Sequence, residues 1–198
     1  MATLRIDDFK SAFTGGGARA NLFRCRVYWP NGAIAGGADA QFGAQEGEIL
    51  QSFMIKGASL PGSTIGMVEV PFRGRTLKVS GDRTYDDYAI TVVNDQNFEL
   101  RNAFERWHDA ISGSVSNVSG RGLDSASFDS YVANIDVEQL GRAGEVLKTY
   151  KMVGAWPTTV DAIDVSYESG DTIEEFGVTF AYQWWEANTT EAPTSNGL

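Results

Sequence analysis

Catalysis needs polar side chains that converge, and this chain offers few. Among 198 residues there is one histidine, His108, and one cysteine, Cys25. A lone cysteine rules out an internal disulfide and a cysteine-built metal site. Cys25 and His108 would make a nucleophile and its base only if the fold brought them together. Cys25 alternates with Phe23 and Val27, which reads as a small buried side chain. His108 follows Trp107 on a helix and reads as a surface residue. Asp86-Asp87 and Glu174-Glu175 are adjacent carboxylates, but neighbours on a strand point to opposite faces and do not share a ligand. Asp161, Asp164 and Asp171 lack the regular oxygen spacing of a calcium loop. Gly15-Gly16-Gly17 lacks the Gly-Lys-Ser/Thr ending of a phosphate loop, and Gly32 to Gly37 holds no lysine. No catalytic residue, metal ligand or cofactor site is expected.

Two oddities remain. Arg73, Arg75 and Arg83 bracket a turn and could grip a phosphate. With Asp82, Asp86 and Asp87 beside them, they read better as ion-pair partners within the fold or across a subunit contact, which the planar guanidinium suits. Trp184 and Trp185 are neighbours on a strand, so at most one enters a given core. The other needs a cover, from the helix or a second subunit.

The elements that must position these residues follow from patterning. The length suits one domain with a sizeable core. Apolar residues make up 42% of the chain, and 22 glycines against 5 prolines suit short strands and tight turns. No apolar run reaches the roughly 18 residues that span a bilayer, and the polar, acidic N-terminus does not read as a secretory signal. A chain made and folded in a cytosol is expected. The net charge of -10 is uneven: eight acids and no base lie from Asp161 onward, leaving the first 160 residues at -2. Such a chain does not hold nucleic-acid phosphates, because that needs Lys and Arg.

Ile6, Phe9 and Phe13 space a short helix in an N-terminal arm, jointed at the glycine triplet. Residues 22–29 alternate as a strand with Arg24 and Arg26 on the outer face. Residues 31–47 read as a long Gly-rich loop, and 49–57 as a strand. Leu60-Pro61-Gly62 turns the chain. Strands are predicted over 64–71 and 75–80, around the turn at Phe72-Arg73-Gly74. Gly81-Asp82 reads as another turn, and Tyr85–Val93 as a strand with Tyr88, Ile90 and Val92 on one face. Asn94-Asp95 reads as the cap of a helix striped by Leu100, Phe104, Trp107 and Ile111. A loop over 113–127 precedes a hairpin of 129–140 and 145–156 around Gly141–Gly144, stopped by Trp156-Pro157. A last hairpin is predicted from 161–167 and 172–185, with Phe176, Val178, Phe180, Tyr182 and Trp184 sharing a face. Strand follows strand, so the fold class is mainly β: two packed antiparallel sheets, as a sandwich or barrel, flanked by one α-helix.

Several of these segments resemble a known family. The succession LPG (60–62), EVPFRGR (69–75), KVSGDRTYDDYAITVVND (78–95), FERW (104–107), GAWPTTV (154–160) and FGVTFAYQWWE (176–186) is similar to the tail tube proteins of contractile-tailed phages of the T-even type. The resemblance spans roughly residues 21–29 and 53–186. Its most specific parts are Gly81–Asp95 and Trp156–Thr158, and residues 31–47 depart from it as an insertion. It implies one tail-tube domain over 1–187, with an arm at 1–20, and the polar composition of 188–198 reads as a disordered tail. It implies homo-hexameric rings stacked into a hollow tube inside a sheath, assembled in the host cytoplasm as part of a virion. The partners it implies are sheath, tape-measure, baseplate and tail-terminator proteins and passing DNA, with no cofactor and no membrane insertion. Under it, Leu60, Pro61, Gly62, Arg73, Arg75, Asp82, Arg83, Trp156 and Pro157 are expected at turns or subunit contacts. The 31–62 segment and the arm are expected to serve ring stacking. Asp136 and Glu138, on one strand face with Asn134, are expected to face the lumen or the outer surface. The alternatives are the inner tube of a bacteriocin, prophage-derived or extracellular injection system and, from another class, a stand-alone small-molecule-binding or hydrolytic β-barrel.

Overall fold

A computed structural model describes residues 6–12, 17–30, 54–114 and 131–188. The expected insertion at 31–47, the start of the predicted 49–57 strand, most of the 113–127 loop and residues 189–198 lie outside the described residues. In chain order the described elements are α1 (Ile6–Ala12), β1 (Phe23–Val27), β2 (Ile55–Ala58), β3 (Thr64–Phe72), β4 (Arg75–Thr84), β5 (Tyr88–Val93), α2 (Glu99–Ile111), β6 (Ala133–Leu140), β7 (Val146–Val160), β8 (Glu175–Ala181) and β9 (Trp184–Ala187).

β7 organises the fold. Its first half pairs with β6 on one side and β9 on the other, and β1 extends β6. Its second half pairs with β8, followed by β5 and β2. All these pairings are antiparallel. One strand thus belongs to two sheets. The change of partner occurs at a bulge where Ala133 faces Ala155 but Ile135 faces Met152. Gly154 stands there at φ 66°, a left-handed conformation that only glycine adopts without steric cost.

Sequence reading stopped this strand at Trp156-Pro157, and the structure corrects it. The proline is tolerated because it sits beside a second bulge, between Pro157 and Thr159. The predicted 161–167 strand is also absent. Residues 161–174 form a loop, and β8 takes the second half of β7 as its partner instead. The predicted 172–185 strand breaks at Tyr182-Gln183, where β9 leaves for the other end of β7. That break inverts the alternation: Trp185 packs inward beside Tyr150, and Trp184 is left 45% exposed.

Between the sheets lie Cys25, Val27, Ile135, Val137 and Met152 from one and Ile90, Val92, Phe176, Val178 and Phe180 from the other. α2 closes this core with the predicted stripe: Leu100, Phe104 and Trp107 are buried and Ile111 is half-buried. Phe104 meets Trp29, Phe176 and Phe180 at ring separations of 5.1, 6.3 and 6.0 Å. Edge-to-face and tilted rings of this kind add to the area term. The Trp107 indole N–H donates to the Tyr131 carbonyl at 2.8 Å. The helix starts later than Asn94-Asp95 implied. Asp95 does accept the Glu99 N–H at 3.0 Å, while Phe98 holds the first position outside the helix at φ 56°. The Asn94 side chain donates to Glu174 instead.

Candidate assembly surfaces

β3 and β4 form a two-stranded sheet that pairs with no other described strand. Phe72 faces Arg75 across Arg73 and Gly74, at φ 44° and 80°. Two central residues at positive φ match the twist of a hairpin, and glycine takes one of them. Thr64 to Phe72 spans about 26 Å at the usual strand rise. The predicted turn at Gly81-Asp82 is a bulge inside β4, because Gly81 lies against Gly66 of β3 and neither carries a side chain. A Cβ on Gly81 would stand 3.2 Å from the Gly66 carbonyl.

Opposite residues of an antiparallel pair share a face. The register therefore puts Val68, Val70, Phe72, Leu77 and Val79, with Arg75 at the tip, on one side of the hairpin and Met67, Glu69, Pro71, Thr76, Lys78 and Ser80 on the other. The polar side carries a Lys78–Glu69 ion pair at 3.9 Å. The five apolar residues of the first side are 45 to 67% exposed. Isolated two-stranded hairpins are marginal in water, and contiguous apolar patches are uncommon on lone monomers. This face was missed in sequence reading. Its signal is the run Val68, Val70, Phe72 set against Leu77 and Val79, visible only once the register is known.

The residues singled out at sequence level fall into four places. Arg73 and Arg75 crown the hairpin, the Arg73 guanidinium 5.4 Å from the Phe72 ring. Asp82 and Arg83 lie at the hairpin's other end, beside the bulge. None of these four makes an ion pair among the described residues. At the hairpin root Leu60 is exposed and Pro61 half-buried, and the Gly62 carbonyl accepts the Trp185 indole N–H at 3.0 Å. Trp156 and Pro157 lie within β7 rather than in a turn, with Trp156 stacked edge-on against Tyr131 and Pro157 buried.

Asp136 and Glu138 lie on the outer face of β6, half-buried, opposite Ile135 and Val137. Each meets a side chain from β1 or from the residue that follows it. Glu138 accepts from the Arg24 guanidinium, with Nε at 2.7 Å, and lies 3.5 Å from Arg26. Asp136 accepts the Tyr28 hydroxyl at 2.9 Å. Lys151 and Glu186 continue the row across β7 and β9. Charges of alternating sign face each other across four strands, which leaves this face nearly neutral.

Cys25 and His108 stay apart in role. Cys25 is buried against Tyr88, and burial pushes its thiol up to about 12. A thiol so protonated at neutral pH is a poor nucleophile. His108 is exposed on α2. Among the described residues no group of three or more His, Cys, Asp or Glu is placed to hold a metal ion, and no helix is long and apolar enough to cross a membrane.

The chain is 29% identical over 183 residues to the tail tube protein gp19 of Enterobacteria phage T4, an alignment covering 91% of this chain and 99% of that one. It is 29% identical over 182 residues to the tail tube protein of Serratia phage KSP90, covering 92% and 95%. Among solved structures, the fold is shared with the tube terminating cap of the anti-feeding prophage, at a TM-score of 0.60 and 15% identity, covering 88% of this chain and 92% of that one. It is shared too with a chain of the sheath–tube complex of the extracellular contractile injection system PVC, at 0.55 and 15%, covering 90% and 95%. A family model described as phage tail tube protein matches residues 18–188, which takes in the β1–β6 charge row, the hairpin and both sheets, and the chain belongs to that family.

Proposed function

We propose that this chain builds the wall of a phage tail tube, in which six copies close a ring and rings stack into a hollow cylinder. The hairpin β3–β4 carries this reading. Among the described residues its apolar face and both of its strand edges have no partner. A copy of the same chain supplies them, because a contact between two different patches of one protein generates rings or helical tubes. Half-covering five such side chains yields roughly 5 kcal/mol before association costs of about 4–15 kcal/mol. One hairpin alone therefore holds a dimer weakly. Closing a ring adds the contacts of every neighbour, so assembly is expected to be cooperative.

The role is structural, without catalysis. The implied partners are a sheath outside, a tape-measure protein and later DNA inside, and baseplate and terminator proteins at the ends, with assembly in the host cytoplasm. A net charge of -10 suits a conduit along which DNA passes without adhering. Purified protein examined by sedimentation and negative-stain electron microscopy is expected to show rings or tubes. A monodisperse monomer at high concentration would refute the reading and favour a stand-alone β-barrel.

A further inference from the structure

The hairpin tip and the 161–174 loop carry opposite charge. The loop is tied at both ends. Arg101 donates to the Asp161 carbonyl at 2.5 Å, and the Asp161 N–H bonds the Gly177 carbonyl at 2.9 Å. At the other end Asn94 donates to Glu174 at 2.8 Å and Lys56 to Glu175 at 2.5 Å. Between these anchors the loop borders an open hollow of about 480 Å³ with a mixed lining, in which Ile163, Val165 and Ile173 stand among Ser and Thr hydroxyls and the carboxylates of Asp164 and Glu174. Val165 and Ile173 are exposed. Asp164 and Asp171 make no ion pair among the described residues, and no Lys or Arg occurs from Asp161 to the end of the chain. The tip is the converse: an exposed Phe72 flanked by Arg73 and Arg75, with no acid in the turn. Aromatic and arginine anchors that become buried carry much of the energy of protein interfaces.

Resting on the tail-tube reading, we propose that the tip of one copy docks in this hollow of the adjacent copy. Phe72 enters between Ile163, Val165 and Ile173, and Arg73 and Arg75 meet Asp164 and Asp171. The two surfaces differ, so the contact runs head to tail and propagates around a ring or along a stack. Opposite charges on the two projections also steer approach, an effect that added salt weakens.

The test is a charge exchange on the full chain, read by sedimentation and electron microscopy, with circular dichroism confirming that each subunit is folded. Arg73→Glu with Arg75→Glu, and separately Asp164→Lys with Asp171→Lys, are each expected to cut assembly at least about tenfold, and combining all four to restore most of it. A second measurement needs no assembly. In a Cys25→Ser background, a Phe72→Cys chain mixed with a Val165→Cys chain is expected to form a disulfide-linked heterodimer on mild oxidation. Reversed variants that assemble like the parent, or parental tubes with neither rescue nor cross-link, overturn the docking while leaving the tube reading intact. A parental chain that forms no rings or tubes removes the tube reading itself.

Discussion

The two-sheet body and the β3–β4 hairpin are built from the same residue types and solve opposite problems. In the body, Val, Ile and Phe alternate with polar residues and the apolar side disappears between sheets: Val92, Ile135, Met152, Val178 and Phe180 are all 0% exposed. In the hairpin the alternation is as regular, and its apolar side stays open. The difference is one of partners. Each body strand finds a neighbour in its own chain, and among the described residues the hairpin's two strands find only each other. A regular pattern left uncovered marks where a protein depends on something outside itself, more clearly than any cluster of polar groups in this chain.

The comparison fails if both regions contribute equally to the stability of the subunit. The largest loss is expected from Phe104→Ala, which removes the ring lodged against Trp29, Phe176 and Phe180. Truncating a buried aromatic costs about 3–5 kcal/mol, readable as a lower midpoint in urea unfolding with an unchanged slope. A loss below about 1 kcal/mol would mean that α2 is not part of the core.

Gly154→Ala probes the corner where β7 passes from one sheet to the other. With φ at 66°, a Cβ costs about 1–2 kcal/mol through the left-handed conformation alone. Unfolding should register that amount, and no change would mean that the bulge relaxes freely. Arg24→Gln comes next. The Arg24–Glu138 pair is partly exposed, at 37% and 14% of the two side chains. Such a pair gives about 0.2–1 kcal/mol, falling with added salt. A double-mutant cycle with Glu138→Gln measures it directly, and a coupling near zero would reduce the charge row on β1 and β6 to a solvated surface.

What was legible in the sequence divides along the same line. β1, β5 and the α2 stripe could be read because a buried face imposes a period of 2 or 3.6 on neighbouring residues. β7 was cut short because its continuation past Pro157 depends on β8, and a single-strand pattern cannot show a change of partner. Trp184 was assigned to the wrong face because the break at Tyr182-Gln183 carries neither Gly nor Pro. Val165 and Tyr167 mimicked a strand by alternating, yet no neighbour covers them. The charge of Arg73 and Arg75 singles them out as candidates for turns or subunit contacts. The apolar face beside them is not singled out, since its five residues come from two strands and converge only through the register.

The smallest expected change in subunit stability is also the sharpest test of the comparison. Val70 and Leu77 face each other on the open side of the hairpin. In a lone subunit Leu77→Asp changes a side chain that is 63% exposed, and substitutions at such sites stay within about 0.5 kcal/mol. Unfolding should scarcely register it. In a ring the same carboxylate would be buried without a partner, which costs several kcal/mol, so assembly should be lost while the monomer remains folded. Leu77→Ile keeps the apolar face and should assemble normally. If Leu77→Asp unfolds the subunit, the hairpin is packed against its own body. If it assembles unchanged, water covers that face in the ring as well, and the hairpin's apolar pattern has another cause.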